Sequence, residues 1–191
     1  MAQRFAAFAA AHFGLQTVEI FIRAPLEFQH RRYAQRVAVH PEASTADKCW
    51  LARRFIGLSR RLSREGFAPE FVVADSERSR WLPLASVAPP LRSFRDTAGL
   101  AAWLYESGWF IGNDSGLGHL ASALGIATLT VFRRRRVAQR WRPGFQHGEI
   151  VLPPWWVPTA GLKEKGWRES ISVRRVQRAF RVLRARVASI N

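Results

Sequence analysis

Cysteine is almost absent from this chain. Cys49 stands alone among 191 residues, so no disulfide can close within the chain and no cysteine cluster can hold a metal. A reducing cytoplasm is the compartment this implies. Long apolar runs are also missing. The stretch from Phe5 to Leu15 is too short to span a bilayer, and with one preceding arginine and no clear small-residue cleavage site it makes a poor signal peptide. Acidic residues are scarce, 14 against 30 basic ones, for a net charge of +16. Lysine is scarce too, occurring at Lys48, Lys163 and Lys165, so arginine carries nearly all of the positive charge. Internal repeats and low-complexity tracts are absent.

The planar guanidinium grips phosphate and carboxylate through paired hydrogen bonds. An excess of it suits a polyanion: an acidic glycolipid, an anionic membrane surface or nucleic acid. The competing reading is arginine spread over solvated faces. Arg53-Arg54, Arg60-Arg61, Arg133 to Arg136 and the run from Arg174 to Arg186 are scattered through the chain. Interleaved stacking aromatics and nucleic-acid-binding motifs do not accompany them, which disfavours nucleic acid as the partner.

With 48% apolar residues, the chain can bury one good core with a small appendage, but not two full Rossmann-like domains. Val37-Ala38-Val39 reads as a buried strand and His40 to Asp47 as a polar loop. Leu51, Phe55, Leu58 and Leu62 then fall on one helical stripe with arginines elsewhere, and Gly66 closes it. Phe71-Val72-Val73 is a second strand that ends in the polar segment Ala74 to Arg78. Strand, helix and strand in this order require a right-handed crossover and a parallel sheet. Pro83, Pro89 and Pro90 mark a loop with at most a short strand. Asp96 or Thr97 can cap a helix containing Leu100, Trp103 and Leu104, which leads into the strand Trp109-Phe110-Ile111. Val151 to Trp156 reads as an apolar strand running into a proline-aromatic turn, where packing is favoured over carbohydrate stacking. A last helix aligns Val173, Val176, Phe180, Leu183 and Val187, either docked on the domain or lying at a membrane. The expected fold is α/β, a Rossmann-like parallel sheet with helices on both faces.

The most informative stretch runs from Phe110 to Gly125. It reads as a strand, a glycine turn and a short helix bearing Leu117, Leu120, Ala121 and Leu124, with Gly125 as C-cap and Ile126 to Phe132 as the next strand. Gly112 and Gly116 are expected to take backbone angles closed to other residues. Asp114, Ser115 and His119 gather at the start of the helix, whose first amides lack partners within it and can dock an anion. Taken alone, such a corner is as readily a cap and a turn as a binding site.

The run Asp114-Ser115-Gly116-Leu117-Gly118-His119-Leu120 resembles the signature turn of glycosyltransferase family 9, the heptosyltransferases. Val37 to Ser44 followed by Lys48 and Trp50 resembles the family's strand, small-residue loop and Lys-x-Trp. Arg140-Trp141-Arg142-Pro143 resembles its Arg-Trp-x-Pro. The matching blocks run from about Val37 to about Val176. The resemblance implies the C-terminal, donor-binding domain of a GT-B enzyme, with residues 1–36 a linker or remnant of an N-terminal domain and residues 37–191 the Rossmann-like nucleotide-sugar-binding domain. It implies metal-independent, inverting transfer of a heptose or related sugar from an ADP-sugar to lipopolysaccharide core or a related glycan, with no cofactor. The family's catalytic base lies on the N-terminal half, which has no counterpart here, so the chain is expected to be incomplete as a catalyst alone: a truncated or degenerate member, or half of a split enzyme that pairs with a separate N-terminal-half protein.

Ligands of such sheets sit outside the carboxyl ends of the strands. Donor-site candidates are therefore Ser44, Thr45 and Lys48 after the first strand, Asp75 and Glu77 after the second, and Asp114, Ser115, Gly116 and His119 after the strand Trp109-Phe110-Ile111. Lys48 would neutralise the diphosphate. Relative to some members one extra residue separates His40 from Lys48, so Ser44 and Thr45 remain interchangeable. Asp75 or Glu77 would accept the ribose hydroxyls. Where the family continues with Gly-Pro-Thr after the strand ending at Phe132, this chain has Arg133 to Arg136. The expected location is cytoplasmic, including the inner face of the inner membrane. The alternative is a basic interaction module, binding nucleic acid or membrane on a relic glycosyltransferase fold.

Overall fold

The computed structural model of the chain describes residues 27–144, 147–157 and 166–189. The apolar stretch Phe5 to Leu15, Lys163 and Lys165 lie outside them. Six parallel strands form one sheet in the order β3-β2-β1-β4-β5-β6. They are β1 (Tyr33–His40), β2 (Ala68–Val72), β3 (Leu91–Arg92), β4 (Ser107–Asn113), β5 (Ala127–Val131) and β6 (Gly148–Val151). The helices are α1 (Ala52–Arg64), α2 (Asp75–Trp81), α3 (Thr97–Tyr105), α4 (Gly116–Ala123), α5 (Arg135–Trp141), α6 (Trp167–Ser170) and α7 (Val173–Ala188). This is the α/β Rossmann-like architecture that the pattern of alternating strands and helices requires.

Every residue of β4 is buried, as expected of a central parallel strand covered on both faces. One face packs Val37, Val39, Trp109 and Ile111 under α1 and α7; the other packs Ala38 and Phe110 with Leu104, Ala121 and Leu124 from α3 and α4. Phe180 of α7 meets Phe67 and Trp109 edge-on, with ring centroids 5.2 and 5.4 Å away. Each buried aromatic of this kind stabilises the fold by roughly 2–3 kcal/mol. Gly66 and Gly125, at φ +84 and +82, end α1 and α4 in the left-handed conformation. Asp96 is the residue that caps α3, accepting from the Gly99 amide at 2.7 Å.

Some boundaries differ from the pattern reading. β1 begins at Tyr33, ahead of its apolar centre, because an exposed lead-in already pairs with the start of β4. The polar segment after β2 is a helix. It has no apolar period, but the Glu77 carboxylate accepts from the Ala74 amide at 3.1 Å, and buried Trp81 anchors its far end by donating to Glu42 Oε1 at 2.7 Å.

Candidate functional site

The strand order reverses direction between β1 and β4, so the chain leaves those neighbouring strands toward opposite faces and opens a crevice at their carboxyl ends. A cavity of about 500 Å³ lies there, within the range of small-molecule sites. The loop after β1 contributes Ser44 and Lys48; the turn after β4 contributes Asp114, Ser115, Gly116 and His119; the segment after β5 contributes Arg133, Arg134, Val137 and Trp141.

One short turn and a side-chain hydrogen bond shape the loop that carries Lys48. Ala46–Lys48 coils into a short 3-10 turn, and the Lys48 ammonium donates to Ser44 Oγ at 3.3 Å. The loop's end is fixed by Trp50, which is 1% exposed and whose indole donates to the Ile171 carbonyl at 3.0 Å. Arg168 of α6 donates to the Ala46 carbonyl, and Arg133 pairs with Asp47. Across the crevice, α4 starts without a side-chain cap. Ser115 stands at its N-cap position, but the hydroxyl is buried and makes no hydrogen bond. An uncapped helix start with an idle hydroxyl beside it offers donors to an anion.

The glycines of the turn act differently from the expectation. Positive backbone angles among the described glycines occur at Gly66 and Gly125, not at Gly112 or Gly116. A side chain at Gly112 would come within 3.0 Å of the His40 carbonyl, so close strand packing demands glycine there; around Gly116 nothing lies within 4 Å, and the helix start stays open to the cavity. Burial raises the Asp114 carboxyl above its ordinary pKa, while Lys48 and His119 pull it down. Lys48, Arg133 and Arg134 line the cavity beside this carboxylate, and with Asp47, which pairs with Arg133, the count is three cations to two carboxylates, so the cavity is electropositive.

Six of the nine candidate residues line this cavity. Thr45, Asp75 and Glu77 do not. Thr45 precedes the 3-10 turn, its side chain helping to hold the Asp47 carboxyl below its ordinary pKa, and Glu77 is committed to the start of α2. Arg133, Arg134, Val137 and Trp141 were not among the candidates. Val137 and Trp141 recur four apart on α5, a helical spacing that could have disclosed a face turned to the site.

A second cavity of about 330 Å³ opens at the same end of the sheet. His40, Val72 to Ala74, Phe94 to Thr97 and Leu100 line it, together with Leu117 from the first turn of α4. The His40 ring bonds the Val72 carbonyl at 2.8 Å through Nδ1, and burial holds its pKa below the ordinary histidine value. The two cavities therefore adjoin the first turn of α4 from different sides, one cationic and one largely apolar.

Comparison with known proteins agrees with this fold. The family model described as glycosyltransferase family 9 (heptosyltransferase) matches residues 1–153. A glycosyl transferase family 9 structure from Veillonella parvula superposes with a TM-score of 0.63 at 17% identity, covering 95% of this chain and 50% of that one. The E. coli heptosyltransferase WaaC with ADP gives 0.65 at 16% identity, covering 82% and 46%. The E. coli ADP-heptose LPS heptosyltransferase II gives 0.63 at 15%, covering 96% and 52%. These likenesses carry the fold, and the chain spans about half the length of each solved structure. No curated protein matches.

Proposed function

Because the chain belongs to glycosyltransferase family 9, the heptosyltransferase family, we propose that its switch-point crevice binds the diphosphate of an ADP-sugar donor, ADP-heptose or a relative of it. The observation that carries this reading is the uncapped start of α4 facing Lys48 across an electropositive cavity. The amides of Gly116 and Leu117 and the Ser115 hydroxyl donate to phosphate oxygens, and Lys48 supplies the opposing charge. The adjoining apolar cavity under Leu117 takes the base. Asp114, at the crevice wall with His119, accepts a sugar or ribose hydroxyl.

In the transfer itself, an acceptor hydroxyl oxygen bonds to the anomeric carbon as the bond from that carbon to the β-phosphate oxygen breaks. The electron pair departs on the diphosphate, and the acceptor proton goes to a base. Lys48 and the α4 amides are fixed before the reaction, so they stabilise the charge that grows on the leaving group without reorganising. This is the donor half of the chemistry. The base and the acceptor site belong to a second, N-terminal half of the kind a GT-B enzyme has, and the chain is incomplete as a catalyst without it.

The acceptor is proposed to be lipopolysaccharide core or a related glycan on an acidic lipid, which places the protein peripherally on the cytoplasmic face of a membrane. The support comes from two tryptophans. The hydrogen-bonded turn Pro154 to Val157 displays Trp155 at 89% and Trp156 at 66% exposure, so the packing expected of this segment does not occur for either. Both leave β6 at the same sheet end at which β5 delivers exposed Arg135 and Arg136. Tryptophan beside arginine is the composition of a bilayer-interface contact. Among the described residues no helix is long and apolar enough to cross a membrane.

Calorimetric titration with ADP, UDP and inorganic pyrophosphate tests the donor reading. ADP is expected to bind more tightly than pyrophosphate because the second cavity holds its base, and more tightly than UDP. Equal affinity for all three would overturn the base assignment, and no heat from any of them would overturn the site.

A further inference from the structure

Asn113 is the last residue of β4 and is 0% exposed. Its carboxamide makes two hydrogen bonds to backbone groups that lie outside the sheet ladder. Oδ1 accepts from the Trp50 amide at 2.9 Å, and Nδ2 donates to the Pro41 carbonyl at 2.7 Å. Pro41 and Trp50 are the two ends of the loop that carries Ser44 and Lys48. Sheet pairing of β1 with β4 stops at His40 and Gly112, so Asn113 takes over where the ladder ends. The next residue is Asp114, which opens the turn into α4.

We infer that Asn113 is a positioning residue for the donor's diphosphate, fixing the distance between Lys48 and the start of α4 by clamping both ends of the Lys48 loop to β4. The inference rests on the donor reading above. One carboxamide supplies both the donor and the acceptor this clamp needs; a leucine supplies neither, and an ionised aspartate supplies only acceptors. The loop's other ties lead elsewhere: the Trp50 indole to the Ile171 carbonyl, the Trp81 indole to Glu42, Arg133 to Asp47 and Arg168 to the Ala46 carbonyl, and none of these joins it to β4. Releasing the buried clamp leaves the loop to be ordered by the ligand, so the ordering cost moves from folding to binding.

The test is a double-mutant cycle in the full chain, with ADP affinity measured well below the melting temperature. Asn113→Ala is expected to weaken ADP binding about tenfold, and the Asn113→Ala, Lys48→Ala double variant to lose less than about threefold beyond Lys48→Ala alone. Leu183→Ala, a distant core truncation chosen for a similar drop in melting temperature, leaves the affinity within about twofold. Hydrogen exchange without ligand gives an independent readout, in which Asn113→Ala speeds exchange of amides 46–50 and Leu183→Ala does not. Should Asn113→Ala fail to fold, Asn113→Ser, which keeps one hydrogen bond, is expected to show the same pattern at smaller amplitude. Losses that multiply in the double variant, or unchanged exchange at 46–50, overturn the inference even when the wild-type chain binds ADP. No ADP binding by the wild-type chain overturns the donor reading, and the inference with it.

Discussion

The guanidinium of Arg133, at the end of β5, is paired with the carboxylate of Asp47 on the 3-10 turn that also carries Lys48. The pair ties two walls of the crevice together, and it puts the first residue of the arginine run to use at the site. A hydrogen bond from Thr45 and then the charge of Arg133 hold the Asp47 carboxyl below its ordinary pKa, so the pair persists through the neutral range.

Lys48→Ala removes the charge that faces the α4 amides and is expected to weaken ADP binding by roughly tenfold or more, the size of one charge-assisted hydrogen bond. Asp47→Asn keeps that charge but unties the turn, and is expected to cost a smaller factor. Calorimetric dissociation constants for both variants, at low and at high salt, check the order. The Asp47→Asn effect should shrink with salt, because the pair it breaks is exposed and screened.

Asp114 makes a pH prediction whose sign follows from burial. Desolvation raises its pKa in the folded chain, with Lys48 and His119 only partly offsetting this. The ionised carboxylate therefore destabilises the fold. That cost is fully present above the raised folded pKa and disappears as pH falls below the ordinary carboxylate value of about 3.9. Asp114→Asn is expected to raise the melting temperature at pH 7, with the gain fading toward pH 4, while ADP-sugar affinity falls. Melting curves across that range, with ADP-heptose titrations at pH 7, check both halves. A gain in stability joined to a loss of binding is the behaviour of a residue kept for its ligand.

Trp155→Ser with Trp156→Ser is expected to lower binding to vesicles containing anionic phosphatidylglycerol by several-fold while leaving ADP affinity unchanged. Wild-type tryptophan fluorescence should shift to the blue on adding those vesicles and not on adding neutral phosphatidylcholine. Co-sedimentation and fluorescence with both lipid compositions are the measurements. Vesicle binding that survives the double substitution would move the membrane contact to another arginine-rich face.

Much of the corner from β4 to α4 was legible because its physics is local. A strand of consecutive apolar residues, a glycine turn and the spacing of Leu117, Leu120, Ala121 and Leu124 specify β4 and α4 with no knowledge of the rest of the chain. The pair Asp96-Thr97 and Gly125 declare their helix ends in the same way, although only the structure tells which of the first two caps α3. What stayed hidden depends on partners far away in sequence. Asp75 to Trp81 shows no helical period because only Trp81 of α2 is buried, and its anchor, Glu42, sits in the loop after β1. Trp50 and Asn113 lie 63 residues apart, and nothing in either neighbourhood announces their bond. Trp141 reads as part of a family block, but its place at the cavity wall follows from the path of α5. Gly112 illustrates a limit of reading residue type alone, since its glycine is required by a neighbouring strand and not by its own backbone angle.

The most direct measurement is an amide 15N–1H titration of the assigned chain with ADP. The account predicts saturable shifts concentrated at Gly116, Leu117 and the Lys48 turn, with a weaker set along the second cavity at Val73 and Ala74, and their loss in Lys48→Ala. Shifts centred elsewhere in the chain, or none at all with the protein folded, would contradict it.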